Sequence, residues 1–142
     1  MLKQISAFVE NKSGRLMEII RALGNVGVDL KALSLADTTD FGVIRMVVSD
    51  DELAKKVLTE DGVVVKISNI TAVAVPDEPG ALLNALQILT DNDIDIEYMY
   101  AFGEKLNDAS IIAIRTQSPE KTEQVLKAGG VMIPDEAQIK AM

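Results

Sequence analysis

Hydrophobic residues along this chain switch repeatedly between two periods. In Gln4 to Glu10, Ile5, Ala7 and Val9 alternate with Gln4, Ser6 and Phe8, the two-residue period of a half-buried strand. Leu16, Ile19, Ile20 and Leu23 then fall at i, i+3, i+4 and i+7, which places them on one face of a helix. Gly24 and Gly27 close that helix, as expected where the backbone must turn out of it. The segments 28–36 (VDLKALSLA) and 43–49 (VIRMVVS) flank a turn at DTTDFG and predict an antiparallel hairpin. A second helix is expected over 50–60, with Leu53, Val57 and Leu58 on one side. After Gly62 the run VVVKI reads as a short closing strand.

The same order then starts again. TAVAV, residues 71–75, is a first strand, and Leu82, Ala85, Leu86 and Leu89 repeat the apolar helix face. The offset is 66 residues, as between Gly14 and Gly80 (80 − 14 = 66), and Asp95 follows Asp29 by the same step. Past the second hairpin it becomes 68, as between Gly62 and Gly130 (130 − 62 = 68). Two extra residues are therefore expected in that hairpin, around GEKLND at 103–108. Ser118, Pro119 and Glu120 open a fourth helix with a capping residue and a proline at the first helical position.

Two copies of strand, helix, strand, strand, helix, strand predict an α+β protein of two tandem ferredoxin-like βαββαβ units. Each is an antiparallel sheet with both helices on one face, because strands joined through a helix run parallel by a right-handed crossover. The expected division is 1–68 and 69–142, with the units packed side by side. KISNI at 66–70 runs almost from strand to strand, and no Ser/Gly-rich linker intervenes. The opposite sheet face and the strand edges are left open for pairing, which favours a homodimer.

Composition narrows the chemistry. The chain has no Cys and no His, which removes disulfides, thiolate and imidazole metal sites, and Cys- or His-based nucleophilic catalysis. No EF-hand-like spacing of oxygen ligands is present, so neither a metal nor another cofactor is expected. A formal charge of −8 argues against nucleic acid as a partner. The start lacks a signal-peptide apolar block and no apolar run approaches a membrane span, so no membrane association and a cytoplasmic location are expected.

Fold alone does not decide function. RNA-recognition domains need stacking rings and basic surface, but aromatic residues are only 4% here. An acylphosphatase-like cradle would need Arg15 and Asn11 in both halves, where the second has Ala81 and Asp77. The segments VENKSGRL and VPDEPGAL, the second-strand openings NVGVDLKAL and NDIDIEYMYAF, and the glycines Gly62 and Gly130 resemble ACT domains, over nearly the whole chain. Ser13 stands where that family usually has the proline seen at Pro79.

The resemblance implies a stand-alone, non-catalytic amino acid-binding regulator. Its ligand would lie at the interface between ACT-like units, between a first loop and the opening of a second strand. The residues it implies are Asn11, Ser13, Gly14, Arg15, Leu16, Asp29 and Leu30, and in the second half Asp77, Pro79, Gly80, Ala81, Leu82, Asp95 and Ile96. A helix start suits an α-carboxylate. Aspartate at 29 and 95, where the family often has asparagine, suits an amine and a basic or imidazole side chain. Each of these positions also has a plainer reading: aspartate after a turn satisfies its own backbone. The acids at Glu10, Glu78, Asp50 and Asp51 read as helix-terminus or solvent-facing charges. Tyr98, Tyr100 and Phe102, opposite Ala32, Ser34 and Ala36 of the first half, line one strand face for a larger ligand or for packing. The alternative function is a protein-interaction subunit of an amino acid biosynthetic enzyme, similar to the acetolactate synthase small subunit.

Overall fold

A computed structural model describes residues 1–37 and 40–142. The expected turn at DTTDFG contains Thr38 and Thr39, which lie outside the described residues. Contacts divide the chain into two compact units, Lys3–Ser68 and Asn69–Met142, with Met1–Leu2 belonging to the latter.

The N-terminal unit contains β1 (Leu2–Glu10), α1 (Arg15–Asn25), β2 (Leu30–Asp37), β3 (Phe41–Val48), α2 (Asp51–Glu60) and the opening of β4 (Val64–Pro76). Its strand order is β2-β3-β1-β4, with β3 antiparallel to both β1 and β2. Ile5, Ala7 and Val9 of β1 meet Ile44, Met46 and Val48 of β3 in a core closed by Ile19, Leu23, Ala54, Leu58 and Val63. The alternation read in β1 is apolar against polar, not buried against exposed, since Gln4 and Ser6 on the other face are buried too. On the other face, the amide of Gln4 donates to Ser68 Oγ at 3.3 Å.

The C-terminal unit begins in the second part of β4 and continues through α3 (Ala81–Asp91), β5 (Tyr98–Leu106), β6 (Ala109–Arg115) and α4 (Pro119–Ala128). β6 pairs antiparallel with β4 on one side and β5 on the other. The fourth strand expected from the repeat is reduced to one antiparallel bridge, Met132 to Ala74, where Ala74 N donates to Met132 O at 2.9 Å. Val73, Val75, Ala85, Leu89, Ile114 and Leu126 form the core. Two strands read separately, VVVKI and TAVAV, are continuous in β4 because nothing in KISNI stops extension.

All four long helices end in the same way. The N–H of the second residue past the C-cap reaches back to the carbonyl five residues earlier: Val28 to Leu23, Val63 to Leu58, Ile94 to Leu89 and Val131 to Leu126. This is the Schellman closure, which needs a left-handed residue just before the donor. Gly27, Gly62 and Gly130 supply it, but the third helix uses Asp93 at φ 55°. Asp93→Gly is therefore expected to raise the unfolding free energy by about 1 kcal/mol, read as a higher urea midpoint at unchanged slope.

Asp50 caps α2, its side chain accepting from Leu53 N at 3.0 Å, and Asp51 is a helix-terminus charge in the first turn, buried at 7% exposure. Ser118 makes no side-chain cap on α4; its own N–H is held by Thr116 Oγ1, whose hydroxyl pairs with that of Thr122 at 2.7 Å. A fifth helix, α5 (Glu136–Lys140), was not expected. It is opened by a capping box in which Asp135 and Gln138 bond each other's backbone N–H groups.

Candidate functional site

Both helix entrances have the same backbone. Lys12 N donates to Glu10 O at 2.8 Å and Arg15 N to Lys12 O at 3.2 Å; sixty-six residues on, Glu78 N donates to Pro76 O at 2.9 Å and Ala81 N to Glu78 O at 3.2 Å. Gly14 and Gly80, at φ 83° and 76°, then turn the chain into α1 and α3. Glycine is required here by this left-handed backbone. Open space surrounds both positions, since a Cβ at either would meet nothing within 4 Å.

Beside each entrance lies a cavity. The one in the N-terminal unit, about 510 Å³, is lined by the end of β1 (Phe8, Val9, Glu10), the loop and first turn of α1 (Lys12, Ser13, Arg15, Glu18), Phe41, Gly62 and Val64. The one in the C-terminal unit, about 560 Å³, is lined at the matching places by Ala74, Val75, Pro76, Ala81, Asn84, Ala109, Gly130 and Met132, and also by Asp77, whose counterpart Asn11 does not line the first. Ala85, Val131 and the hairpin residues Asn107 and Asp108 complete it. Duplication has kept the cavity and changed its walls. The rings Phe8 and Phe41 of the first become Ala74 and Ala109, and Glu10, Arg15 and Glu18 become Pro76, Ala81 and Asn84, while Asp77, Asn107 and Asp108 line only the second.

Electrostatics differ accordingly. In the first cavity the charges are paired locally, Lys12 with Glu10 at 2.7 Å and Arg15 with Glu18 at 2.9 Å. The hydrogen bond from Lys12, and then its charge, hold the Glu10 carboxyl below its ordinary range and Lys12 above its own. In the second, Asp77 accepts from Lys105 of β5. That bond first, then the charge of Asp77, with a contribution from Asp108, pushes Lys105 above the ordinary lysine value.

Lys105 lies just past a bulge. Ala101 pairs with Ile112 but Lys105 with Ser110, so β5 carries two residues more than β6 between those pairs. These are the two residues by which the second hairpin exceeds the first. The hairpin then closes tightly between Leu106 and Ala109, with Asn107 and Asp108 both left-handed at φ 49° and 64°, the geometry of a type I′ turn.

The structure brings Ser13 and Arg15 into the first cavity and Asp77 and Ala81 into the second. Asn11, Gly14, Leu16, Pro79, Gly80 and Leu82 belong to the entrances without lining these cavities. The Asn11 amide reaches Asp37 at 3.5 Å. Asp29 and Leu30 lie beyond the other end of α1, about 16 Å of helix away. There the Asp29 carboxylate pairs with Lys31 at 3.1 Å and its N–H bonds Ser49 Oγ at 2.9 Å. Asp95 lines a smaller hollow of about 240 Å³ with Asp93, Glu97, Gln117, Ser118 and Lys121, and Ile96 follows it just before β5. A single unit therefore does not join an entrance to a second-strand opening.

Tyr98 and Tyr100 stack with centroids 6.5 Å apart, and Phe102 is buried; none of the three lines the cavity of its unit. The hairpin residues Asn107 and Asp108 were missed as lining groups. Among the described residues no group of acids is placed to hold a metal ion, and no helix is long and apolar enough to cross a membrane.

Comparison with known proteins gives the family. A protein from Bacteroides thetaiotaomicron of known crystal structure is 35% identical, over 99% of this chain and 96% of its own, with a TM-score of 0.92. The regulatory subunit of aspartate kinase from Thermus thermophilus shares the fold at 14% identity, with a TM-score of 0.64 over 89% of this chain and 91% of that one. Aspartate kinase from Clostridium acetobutylicum is similar at 16% identity and a TM-score of 0.56, over 90% of this chain but 33% of its own. No curated protein matches the sequence significantly. Residues 1–141 match the ACT domain pair, a regulatory kind of fold, and the chain belongs to that family.

Proposed function

We propose that the protein is a regulatory amino acid-binding module without a catalytic step of its own, seating its ligand at the helix entrances. The observation that carries this reading is the paired retention of entrance and cavity. Each unit keeps the same loop backbone, the same left-handed glycine and a cavity of one small molecule's volume, while the side chains around it have changed. A packing-only loop would have no reason to keep that space. The helix start offers N–H groups and a partial positive charge to an α-carboxylate, and the acids and amides nearby offer acceptors to an α-ammonium.

The test is a thermal-shift screen of refolded, ligand-free protein against the twenty amino acids. A responder at a hundred times its dissociation constant should add about 2.7 kcal/mol to stability. Its loss in Arg15→Met or Asp77→Asn, with retention in Asp29→Ala and Asp95→Ala, would place the ligand in the cavities. The opposite pattern would place it at the second-strand openings. Silence from all twenty at millimolar concentration would end the sensing reading and leave a protein-interaction role.

A further inference from the structure

We propose that the cavity of the C-terminal unit is a seat for a ligand's primary ammonium group, and that Lys105 holds its lining carboxylate Asp77 as a tethered competitor. This rests on the ligand-binding reading above and gives it a ligand class and a gate. Three observations converge on it. First, Asp77, a lining carboxylate of the first loop, already holds an ammonium, that of a side chain 28 residues away. Second, Lys105 stands at the hairpin position held by Asp37 in the N-terminal unit, opposite Ser110 as Asp37 is opposite Gly42, so the cation comes from a substitution and not from the added residues. In the N-terminal unit the matching Asn11 is neutral and bonds Asp37 instead. Third, the charged groups lining the second cavity are Asp77 and Asp108, whereas the first balances Lys12 and Arg15 against Glu10 and Glu18. Behind the carboxylates the wall is Ala81, Val131 and Met132, suited to a short apolar chain attached to the ammonium.

The gate is a weak one by construction. Both partners of the Lys105–Asp77 pair are more than half exposed, so water and salt screen the attraction and a long side chain is held in one rotamer against its entropy. A ligand ammonium that also covers the apolar wall has an interaction Lys105 cannot make from its tether. Ligand and lysine then exclude each other on one carboxylate. Displacing Lys105 releases its side chain beside the β5 bulge, which gives occupancy a local structural consequence.

The experiment titrates full-length protein with butylammonium, and in parallel with neutral butanol, following backbone amides by NMR. Butylammonium should shift the amides of Asp77, Asn84 and Asp108, and leave those of Ser13, Arg15 and Gly62 in place. Lys105→Met should tighten butylammonium binding by about tenfold and leave butanol unchanged. Adding Asp77→Asn to that variant should remove the gain. Equal tightening of butanol would show that the substitution merely enlarges an apolar surface, and no change on Lys105→Met would remove the competitor; either overturns the proposal. An amino acid response in the wild-type screen that ignores Lys105→Met would keep the sensing reading without the gate. The expected butylammonium behaviour with no amino acid responder would keep the gate and end the amino acid reading.

Discussion

Leu58→Ala and Leu126→Ala should each lower the unfolding free energy by about 2–5 kcal/mol, measured by urea denaturation with the slope held constant. The two positions are equivalents 68 residues apart, and both leucines are fully buried. Each fills the space between helix and sheet, Leu58 beside Val63 in the core of its unit and Leu126 beside Val73, Val75 and Ile114 in its own. Each carbonyl also accepts the N–H that closes its helix. That backbone bond survives truncation, so the loss should be confined to transfer and cavity terms. A cost below about 1 kcal/mol at either site would mean that its core collapses onto the gap.

Ile111→Asp should be as damaging, about 3–5 kcal/mol, the range for a buried charge without a partner. The comparison that gives this meaning is Leu83→Asp, on an exposed turn of α3, expected within about 0.5 kcal/mol of wild type. Ile111 lies on the β6 face opposite the one that packs on the helices, where Ile112 and Ile114 point. Hydropathy alone leaves that face open. In the structure Ile111, Ala113, Ala72 and Phe102 are buried there, so β6 is apolar on both sides. A mild effect of aspartate at this position would return the face to solvent. Circular dichroism on the same variant separates local loss from unfolding.

How far the sequence could be read followed from what each signal depends on. Periodicity depends on one apolar face, and β1, α1, α2 and α3 each have one, so their order and their duplication were legible, although in β1 the polar Gln4 and Ser6 of the other face are buried as well. β6 is buried twice over, and its run of Ile and Ala carries no alternation to read. The change of offset from 66 to 68 located the extra residues of the second hairpin, but could not tell a longer turn from a bulge. A type I′ turn at Asn107-Asp108 takes two residues only, which forces the excess into β5. α5 is five residues long, too short for periodicity; its legible sign was Asp135 with Gln138 three residues on.

The candidate site was legible as a place more than as a set of partners. Gly14 and Gly80 mark the entrances because their backbone demands glycine, and that demand shows in any sequence. Which side chains face the space beside them depends on strands far apart in the chain. Phe41 and Val64, or Asn107 and Met132, cannot be paired with an entrance from local pattern. Asp29 and Asp95 recur faithfully, yet sit at the far end of α1 and α3 from the cavities, because each helix runs back along the sheet and returns the chain to the other end of the strands before the next one starts.

The β5 bulge has a practical side. The whole chain is free of cysteine, so one introduced thiol is the sole site for a maleimide dye. Gly103 lies within the bulge, two residues before Lys105, and a Cβ there would meet nothing within 4 Å. A dye at Gly103→Cys would sit two residues from the lysine, turning the bulge into a fluorescent indicator of what occupies Asp77.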